Sequence, residues 1–445
     1  MQKLKLLPFI LAGLTYSCSE VSGVFDSNVL QNALNPMQDC NITVSDTKDV
    51  PSNRTPSADN CIGLINTICP TLREAILKAN SMNSMTGPVI ICLGQNKIYT
   101  LESYDLFITG DITIKGNGST IQRDPNLKCN HDDINNTGEF RIFQVTKLAK
   151  LTLKDVVVKN GCADGLYGGG IFNDGTLIIQ DSTISGNSAE YGGGIYNGDI
   201  GKVIIQNSII SDNNSSRSGG GISNEGKITI QNSSILRNST DDGFGGGIDN
   251  GRDLTIQDST ISGNIAKSGG GIYNSNLGTV SIQNSTISSN IAKYGSGGGV
   301  DNYGTLTINN STVSGNSAKY GGGIHNYKYS KIKAIFITIA NNKASENSGG
   351  IHNEGTFNIK NSIIASNKVG NGFKNCTITG ETFIPSGVNF TDDNTCVGFN
   401  KVTSIQLKLQ PLGNYGGSTQ THALGSDSVA IDAVNDCTDL NNQPV

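Results

Sequence analysis

The sequence predicts an all-β chain whose middle part is a parallel β-helix, a solenoid of about 8–10 stacked coils. One motif is written eight times with small variations, as in residues 168–187 and 297–316. It reads Gly-Gly-Gly-Ile-x-Asn, a short turn, then Leu-x-Ile-x-x-Ser-x-Ile-x-x-Asn, and it recurs every 24 to 28 residues. Within each copy the apolar residues alternate with the period of a strand face, and the period of a helix is absent. Stacked strands are therefore predicted rather than stacked helices.

Columns of apolar residues should fill the narrow core of this solenoid. Coils about 4.8 Å apart place each residue directly over its equivalent in the next coil. Three, eight and ten positions before the Asn that closes each copy, the residue is almost always Ile, Val or Leu, as at Ile256. Such β-branched side chains suit strands. A further apolar column follows the glycines: Ile171, Ile195, Ile222, Ile248, Ile272, Val300, Ile324 and Ile351.

Two columns of asparagine mark the corners of the coils. Stacked Asn amides can hydrogen-bond to one another and to nearby backbone, and Asn tolerates left-handed turn dihedrals. We therefore interpret the Asn columns, with the Gly and Ile columns, as scaffold. The first Asn column is Asn173, Asn197, Asn224, Asn250, Asn274, Asn302, Asn326 and Asn353. The second is Asn187, Asn213, Asn238, Asn264, Asn290, Asn316, Asn342 and Asn367.

The ends of the chain differ from the repeats, because the open ends of a solenoid need caps. A helix is predicted at 71–80, where Pro70 precedes it and Thr71 and Glu74 have capping-box spacing. A basic start and a short apolar stretch are typical of an export signal. The expected segments are a signal peptide at 1–23, an N-terminal leader and cap at 24–110, repeats at 111–370 and a C-terminal cap at 371–445.

Ten cysteines indicate an oxidising compartment. Cys18 either ends a lipoprotein signal and carries a lipid, or is removed by ordinary cleavage a few residues later. Cys61 and Cys69 flank a short loop and are expected to form a disulfide. Cys376 and Cys396 are expected to form another at the C-terminal end of the repeats. Without Cys18 the count is odd, which leaves one thiol free or paired between molecules.

Two stretches outside the repeats resemble a known group of proteins. The Cys-x-x-Leu-Arg-Glu-Ala-Ile stretch at 69–76 resembles the CSLREA motif that opens many exported bacterial β-helix proteins, and residues 411–433 resemble the cap that follows their repeats. The repeats are similar to the GGAI and FxxN repeats of chlamydial-type polymorphic outer-membrane proteins, with Ile or Leu in place of Phe. The resemblance implies a right-handed β-helix that is exposed at a cell surface or secreted, where such passengers serve adhesion.

Composition and motifs exclude several functions. A net charge of −5 with 16% charged residues offers no electrostatic surface for nucleic acid. Polygalacturonase-like enzymes share the scaffold and use NTD, GHG and RIK motifs, none of which occurs in this chain. Histidines, the usual general bases, are few. They are His131, His325, His352 and His422.

One column is a candidate binding stripe. The residue between the post-glycine Ile and its Asn should point away from the core and toward solvent. Down the stack this column reads Phe172, Tyr196, Ser223, Asp249, Tyr273, Asp301, His325 and His352. Aromatic rings with carboxylates suit contact with sugars or proteins. Binding is assigned to Tyr196, Asp249, Tyr273, Asp301, His325 and His352.

The same stripe leaves two alternatives open. Asp249 and Asp301, two coils and about 9.6 Å apart, could form the acid pair of an inverting glycosidase. The adjacent His325 and His352 could share a metal, although neither a metal nor another cofactor is predicted. A third interpretation is that the stripe is an ordinary solvated face of variable residues.

Together these observations predict an exported, monomeric protein of the cell surface, outer membrane or extracellular space. Its expected role is non-enzymatic adhesion, binding or envelope structure. The partner would be a host or extracellular glycan or protein, and a membrane would be reached only through an N-terminal lipid or a partner. A polysaccharide hydrolase, a lyase or a lectin on a pectate-lyase-like scaffold is the alternative.

Overall fold

The strands of each coil pair in parallel with those of the next coil, and the strands that follow the glycines keep their register through the repeats. Ile171 lies beside Ile195, which lies beside Ile222, and the same residue types meet along the stack. The computed structural model describes residues 40–50, 54–63, 66–82, 87–130, 132, 136–380, 382–440 and 443. These form a parallel β-solenoid of about 13 turns, more than the predicted 8–10. Less regular coils before and after the eight repeats account for the difference.

Each repeat contributes four strands to three sheets, which we number 1 to 3. Sheet 1 receives two strands per coil, separated by two residues of which the first has positive φ, such as Asp181 or Asn310. Sheet 2 receives the strand that follows the glycines, and sheet 3 the strand that precedes them.

Among the described residues the strands have the following bounds. Sheet 1 contains Ile42–Val44, Thr67–Cys69, Val89–Cys92, Ile98–Leu101, Asp111–Arg123, Lys150–Lys159, Thr176–Gln180, Thr183–Ser185, Lys202–Gln206, Ile209–Ser211, Lys227–Gln231, Ser234–Leu236, Asp253–Gln257, Thr260–Ser262, Thr279–Gln283, Thr286–Ser288, Thr305–Asn309, Thr312–Ser314, Lys331–Ile335, Thr338–Ala340, Thr356–Lys360, Ile363–Ala365, Thr382–Ser386, Phe390–Thr391 and Asn400–Lys401. Sheet 2 contains Leu106–Ile108, Phe143–Val145, Ile171–Asn173, Ile195–Asn197, Ile222–Asn224, Ile248–Asn250, Ile272–Asn274, Val300–Asn302, Ile324–Asn326, Ile351–Asn353 and Cys376–Ile378. Sheet 3 contains Cys162–Tyr167, Ser188–Tyr191, Asn214–Ser218, Ser239–Thr240, Ile265–Ala266, Ile291–Ala292, Ser317–Ala318, Lys343–Ala344, Lys368–Val369 and Gly372–Phe373.

The predicted apolar columns form one continuous core. Ile256 and the column that follows the glycines are fully buried. The two Asn columns are buried as well and form amide ladders. In one of them the side-chain Nδ2 of Asn316 donates to Asn342 Oδ1 and to the carbonyl of Ile287, both at 2.9 Å. Each coil is therefore held to its neighbours by apolar contact inside and by amide hydrogen bonds at two corners.

A short helix closes the N-terminal end of the core. It spans Leu72–Ser81, one residue later than predicted, and the Thr71 side chain accepts a hydrogen bond from the backbone N–H of Glu74. The apolar side of the helix, which includes Ile76, is buried in the same core as the first strands of sheet 1. The helix therefore covers apolar surface that an open coil would expose.

Arg73, in the first turn of this helix, has a structural role. Arg73 is buried and binds both carboxylate oxygens of Asp49, at 2.9 and 2.8 Å. Arg73 also donates to the carbonyls of Ser103 and Tyr104. The Arg73 guanidinium thus links the helix to two loops by hydrogen bonds. Its paired bonds to Asp49 have the bidentate geometry that Arg prefers with a carboxylate.

Disulfides staple both ends of the solenoid. The structure contains the two pairs expected from the sequence, Cys61–Cys69 and Cys376–Cys396. It also contains Cys40–Cys92 and Cys129–Cys162. Cys437 is disulfide-bonded too, so the described part of the chain holds no free thiol. The expectation of a free thiol, which came from leaving Cys18 out of the count, is wrong for these residues. Cys18 and the predicted signal peptide at 1–23 lie outside the described residues.

The C-terminal segment runs back along the side of the solenoid. After a short helix at Ser404–Leu407, the strands Leu409–Gly413 and Thr421–Leu424 form a hairpin. His422 in this hairpin bonds through Nε2 to Ser314 Oγ at 2.8 Å, although the two residues are 108 positions apart in sequence. The hairpin therefore covers part of sheet 1. In the described residues no helix has the length and apolar character needed to span a membrane.

Candidate functional site

The predicted stripe is one continuous row on the outer side of sheet 2. Strand pairing places its members side by side in consecutive coils, for example Tyr273 next to Asp301 and His325 next to His352. The row also extends further than predicted, to Phe107 and Gln144 at one end and Thr377 at the other. These three positions were not recognised in the sequence because the outer coils do not follow the repeat motif.

Two further columns flank this row, and sequence analysis missed both. One stands just before the glycines and includes Tyr167, Tyr191, Ser218, Phe244, Ser268, Ser296 and Tyr320. The other stands just after the first Asn column and includes Asp174, Glu225, Ser275, Tyr303, Tyr327 and Glu354. Both recur with the period of the repeat, so the signal was present in the sequence. We call the three columns together the sheet 2 face.

The flanking columns cover the central row, which is not the solvated stripe that the sequence predicted. The ring of Tyr196 lies 4.6 Å from that of Tyr167, and the ring of Tyr273 lies 4.7 Å from Phe244 and 5.2 Å from Tyr303. Both tyrosines are only partly exposed. The prediction considered only the alternation within a strand and not the long side chains at the two adjacent corners.

Carboxylates beside the rings make this face acidic. Burial raises the pKa of Asp249 to about 7, the charge of Glu225 adds to the effect, and a hydrogen bond from Ser218 opposes it. Burial likewise raises the pKa of Glu225, against the opposing charge of Arg252. Burial and the carboxylates nearby raise the pKa of Tyr196 to about 12. The Tyr196 hydroxyl therefore stays protonated and can donate a hydrogen bond to a ligand.

A cluster of Asp301, His325, His352 and Glu354 lies at the C-terminal end of the face. His325 Nδ1 bonds to Asp301 Oδ1 at 2.7 Å, and these side chains are almost fully buried, with Asp301 at 0% and His325 at 3% exposure. The imidazole of His352 lies 5.1 Å from that of His325 and is 6% exposed. Glu354 Oε1 lies 3.6 Å from His325 Nε2 and 3.7 Å from His352 Nε2.

The two histidines differ in their preferred charge. Burial by itself would lower the pKa of His325, but the hydrogen bond to Asp301 and the charges of Asp301 and Glu354 outweigh it and raise the pKa. Burial and the neighbouring positive charge of His325 lower the pKa of His352 to about 4. His352 is therefore a neutral imidazole near pH 7, with a lone pair that can bind a proton donor or a cation.

The predicted alternative acid pair is separated by an aromatic residue. Asp249 and Asp301 lie in the same row, and Tyr273 occupies the position between them. Asp301 is bonded to His325 and has no exposed surface. Asp249 is partly exposed and is the more accessible of the two.

A pocket lies at the N-terminal end of the same face. Its lining includes Tyr104, Phe107, Arg141 and Leu166, together with residues of the loop that Cys129 and Cys162 staple. The Arg141 guanidinium lies 5.2 Å from the centre of the Phe172 ring and 3.3 Å from Asp105. Arg141, which lines the pocket, thus links it to the aromatic residues of the repeats.

Comparison with known proteins agrees with the fold. Residues 165–336 match the family model described as a right-handed β-helix region, which covers about two fifths of the chain. This match and the parallel stacking confirm the predicted fold class, including its handedness. No curated protein matches the chain, and no solved structure does. The finer likeness to CSLREA-type and polymorphic outer-membrane proteins stays a prediction.

Proposed function

We propose that the sheet 2 face binds an extended glycan, neutral or amine-bearing, and that the chain is an exported surface or secreted binding protein. The observation that carries the proposal is the run of partly exposed aromatic rings beside hydrogen-bonding carboxylates. Phe172 and Tyr196 stack at 5.6 Å, and Tyr303 and Tyr327 stack at 4.4 Å. Flat rings supply contact area at little entropic cost, and polar groups beside them orient hydroxyls.

The repetition of the face favours a ligand that also repeats. Equivalent side chains recur about every 4.8 Å along the solenoid, because that is the spacing of neighbouring strands. A linear polymer lying along the axis could contact the same kind of side chain several times. Weak contacts made repeatedly by one chain add up, as in other multivalent binding.

The charge of the face favours neutral or amine-bearing sugars over polyuronates. Glu225, Asp249 and Glu354 would repel a carboxylate on every sugar. Among the described residues, the cations that approach the face include Arg141, Arg252, Lys319 and Lys374. Arg141 stands at one end, Lys319 is paired with Glu346, and the other two lie beside acidic or imidazole groups. This distribution weakens the case for a pectate-type substrate.

Disulfides support an exported location. Four pairs are present among the described residues, and such bonds persist in oxidising compartments. The basic and apolar start of the chain at 1–23 is consistent with export. We propose that the protein acts outside the cytoplasm on a host or other extracellular glycan.

Binding to soluble polysaccharides tests the proposal. A panel of neutral glucans, chitosan and polygalacturonate would be titrated into the full-length protein by calorimetry. The Tyr196→Ala, Tyr273→Ala double variant should weaken binding of the preferred glycan by about 1–3 kcal/mol, roughly 5- to 150-fold. Tyr415→Ala is the matched control, because Tyr415 is an exposed tyrosine on the C-terminal hairpin.

Two further variants separate ligand contact from structural damage. Tyr196→Phe with Tyr273→Phe keeps both rings and their stacking, so this double variant should keep most of the affinity. Polygalacturonate should bind weakest in the panel. Equal loss of affinity in the Tyr415 control, or a preference for polygalacturonate, would contradict the proposal.

A glycoside hydrolase on the same face is the second candidate, and Asp249 favours it. A partly exposed acid whose pKa is about 7 suits a general acid at neutral pH. If the protein hydrolyses its glycan, Asp249→Asn should abolish turnover and leave binding nearly unchanged. If it only binds, reducing ends should not accumulate in the native protein.

A further inference from the structure

Three side chains on the sheet 2 face bring potential metal-ligand atoms close together. His325, His352 and Glu354 each offer one nitrogen or oxygen, and these atoms all lie within 4.8 Å of one another. The strand register produces the arrangement, because His325 and His352 are directly paired in adjacent coils and Glu354 follows His352 by two residues. The grouping joins residues from two coils of the solenoid.

The contacts within this group are too long for hydrogen bonds. Glu354 Oε1 lies 3.6 Å from His325 Nε2 and 3.7 Å from His352 Nε2. Such separations exceed the usual 2.7–3.2 Å of an N–H···O bond by about half an ångström. In a tetrahedral zinc site with bonds of about 2.0–2.1 Å, neighbouring ligand atoms lie roughly 3.3–3.4 Å apart. The two edges from Glu354 need to shorten by only a few tenths of an ångström, and the edge between the two histidine nitrogens lies within 4.8 Å and closes by rotation of the imidazoles.

Asp301 sets the orientation of one of these ligands. Its Oδ1 accepts a hydrogen bond from His325 Nδ1 at 2.7 Å, so the neutral imidazole that a metal requires keeps its proton on Nδ1 and presents the Nε2 lone pair to the side of Glu354. A carboxylate behind a histidine is the usual outer partner of a metal-bound imidazole. In the described part of the chain, Asp301 Oδ2 and His352 Nδ1 are buried without a hydrogen-bond partner, so this cluster is incompletely satisfied as it stands.

We propose that His325, His352 and Glu354 bind one zinc ion, with Asp301 as a positioning residue. Two imidazoles and one carboxylate are a set of protein ligands that zinc takes when its fourth position is left to water or a ligand. Tyr303 and Tyr327 stand beside the cluster, with ring centres 6.4 and 5.9 Å from that of His325. The proposal does not depend on glycan binding and can be tested without any glycan.

Zinc titration of the native chain tests the site. The full-length protein, purified without a polyhistidine tag and stripped with a chelator, would be titrated with zinc chloride by calorimetry. One ion per chain should bind, and His352→Ala should weaken binding at least 100-fold. The histidine in the C-terminal hairpin should not compete, because both ring nitrogens of His422 are already hydrogen-bonded.

Glu354 permits a matched comparison that preserves the fold. It lies on a turn with a third of its side chain exposed, and Glu225 occupies the same place in an earlier coil with no histidine beside it. Glu354→Gln should weaken zinc binding at least 10-fold, whereas Glu225→Gln should leave it unchanged. Equal effects of the two variants would overturn the proposal, since they would reveal only a general loss of negative charge.

The role of Asp301 has its own signature. Asp301→Asn should lower zinc affinity about 10- to 100-fold. It should also shift the visible absorption bands of the cobalt-substituted protein, which report ligand geometry and would not move if Asp301 only stabilised the fold. Absence of saturable binding at one ion per chain would overturn the proposal. Binding that survives both His352→Ala and Glu354→Gln would do so as well.

Discussion

Replacing one ladder asparagine by aspartate should reveal how much the amide stack contributes to stability. Asn316 is fully buried, and its Nδ2 donates to Ile287 O and Asn342 Oδ1, both at 2.9 Å. Its Oδ1 accepts from the backbone N–H and the side chain of Asn290, also at 2.9 Å. In Asn316→Asp the donor becomes an oxygen that faces two acceptors, so the new carboxyl group must either carry a buried charge or stay protonated.

Protonation is the cheaper route, and its cost can be worked out. An aspartate with an ordinary pKa of about 3.9 in the unfolded chain costs about 4 kcal/mol to hold neutral at pH 7. The protonated acid has one donor where the amide had two, which removes a further hydrogen bond worth about 1 kcal/mol. We expect Asn316→Asp to lower the free energy of unfolding by about 5 kcal/mol at pH 7. The folded-state pKa is raised, so the deficit should shrink as the pH falls toward 4, where the unfolded chain binds the same proton.

Asn310→Asp is the matched control in the same coil. Asn310 is exposed with φ of 43°, and the equivalent residues Asp181 and Asp258 adopt φ of 51° and 49° in other coils. This variant should stay within about 0.5 kcal/mol of the native protein. Guanidinium unfolding followed by circular dichroism at pH 7 and pH 4 would measure both variants. Similar small effects for the two, or a deficit in Asn316→Asp that does not change with pH, would refute the ladder argument.

Two further predictions concern the core and the sheet 2 face. Ile256→Asp should lower the free energy of unfolding by several kcal/mol, because Ile256 is fully buried between coils. Thr255→Asp, on the exposed side of the same strand, should lower it little. Equal melting temperatures of the two variants would contradict the assigned core. Asp249→Asn should leave stability unchanged near pH 4 and raise it at pH 8, because the folded-state pKa of Asp249 is raised to about 7 and its ionisation therefore opposes folding as the pH rises from the unfolded-state pKa to the folded-state pKa. Thermal melts at both pH values, with the exposed Asp253→Asn as control, would detect the difference. An effect that does not change with pH would show that Asp249 does not titrate in that range.

The scaffold was predictable from the sequence because a solenoid repeats one local environment many times. Eight copies of the motif defined the apolar columns, the two Asn columns and the corner glycines, and each position has a physical reason that the neighbouring coil repeats. The helix at 72–81 was predictable for a local reason, the capping residues Thr71 and Glu74. The outer coils were underestimated because their strands are longer and their spacing irregular, as in Asp111–Arg123.

Contacts that join dissimilar parts of the chain required the tertiary structure. The Arg73–Asp49 pair and the packing of His422 on Ser314 link segments with no common period, so no column reveals them. The sheet 2 face is an intermediate case. Its central row followed from strand alternation, which determines the side of the sheet to which a residue points. Its burial, and the approach of Glu354 to two histidines, depend on how the corner turns direct long side chains over that row, and turn geometry is decided only when the coils are stacked.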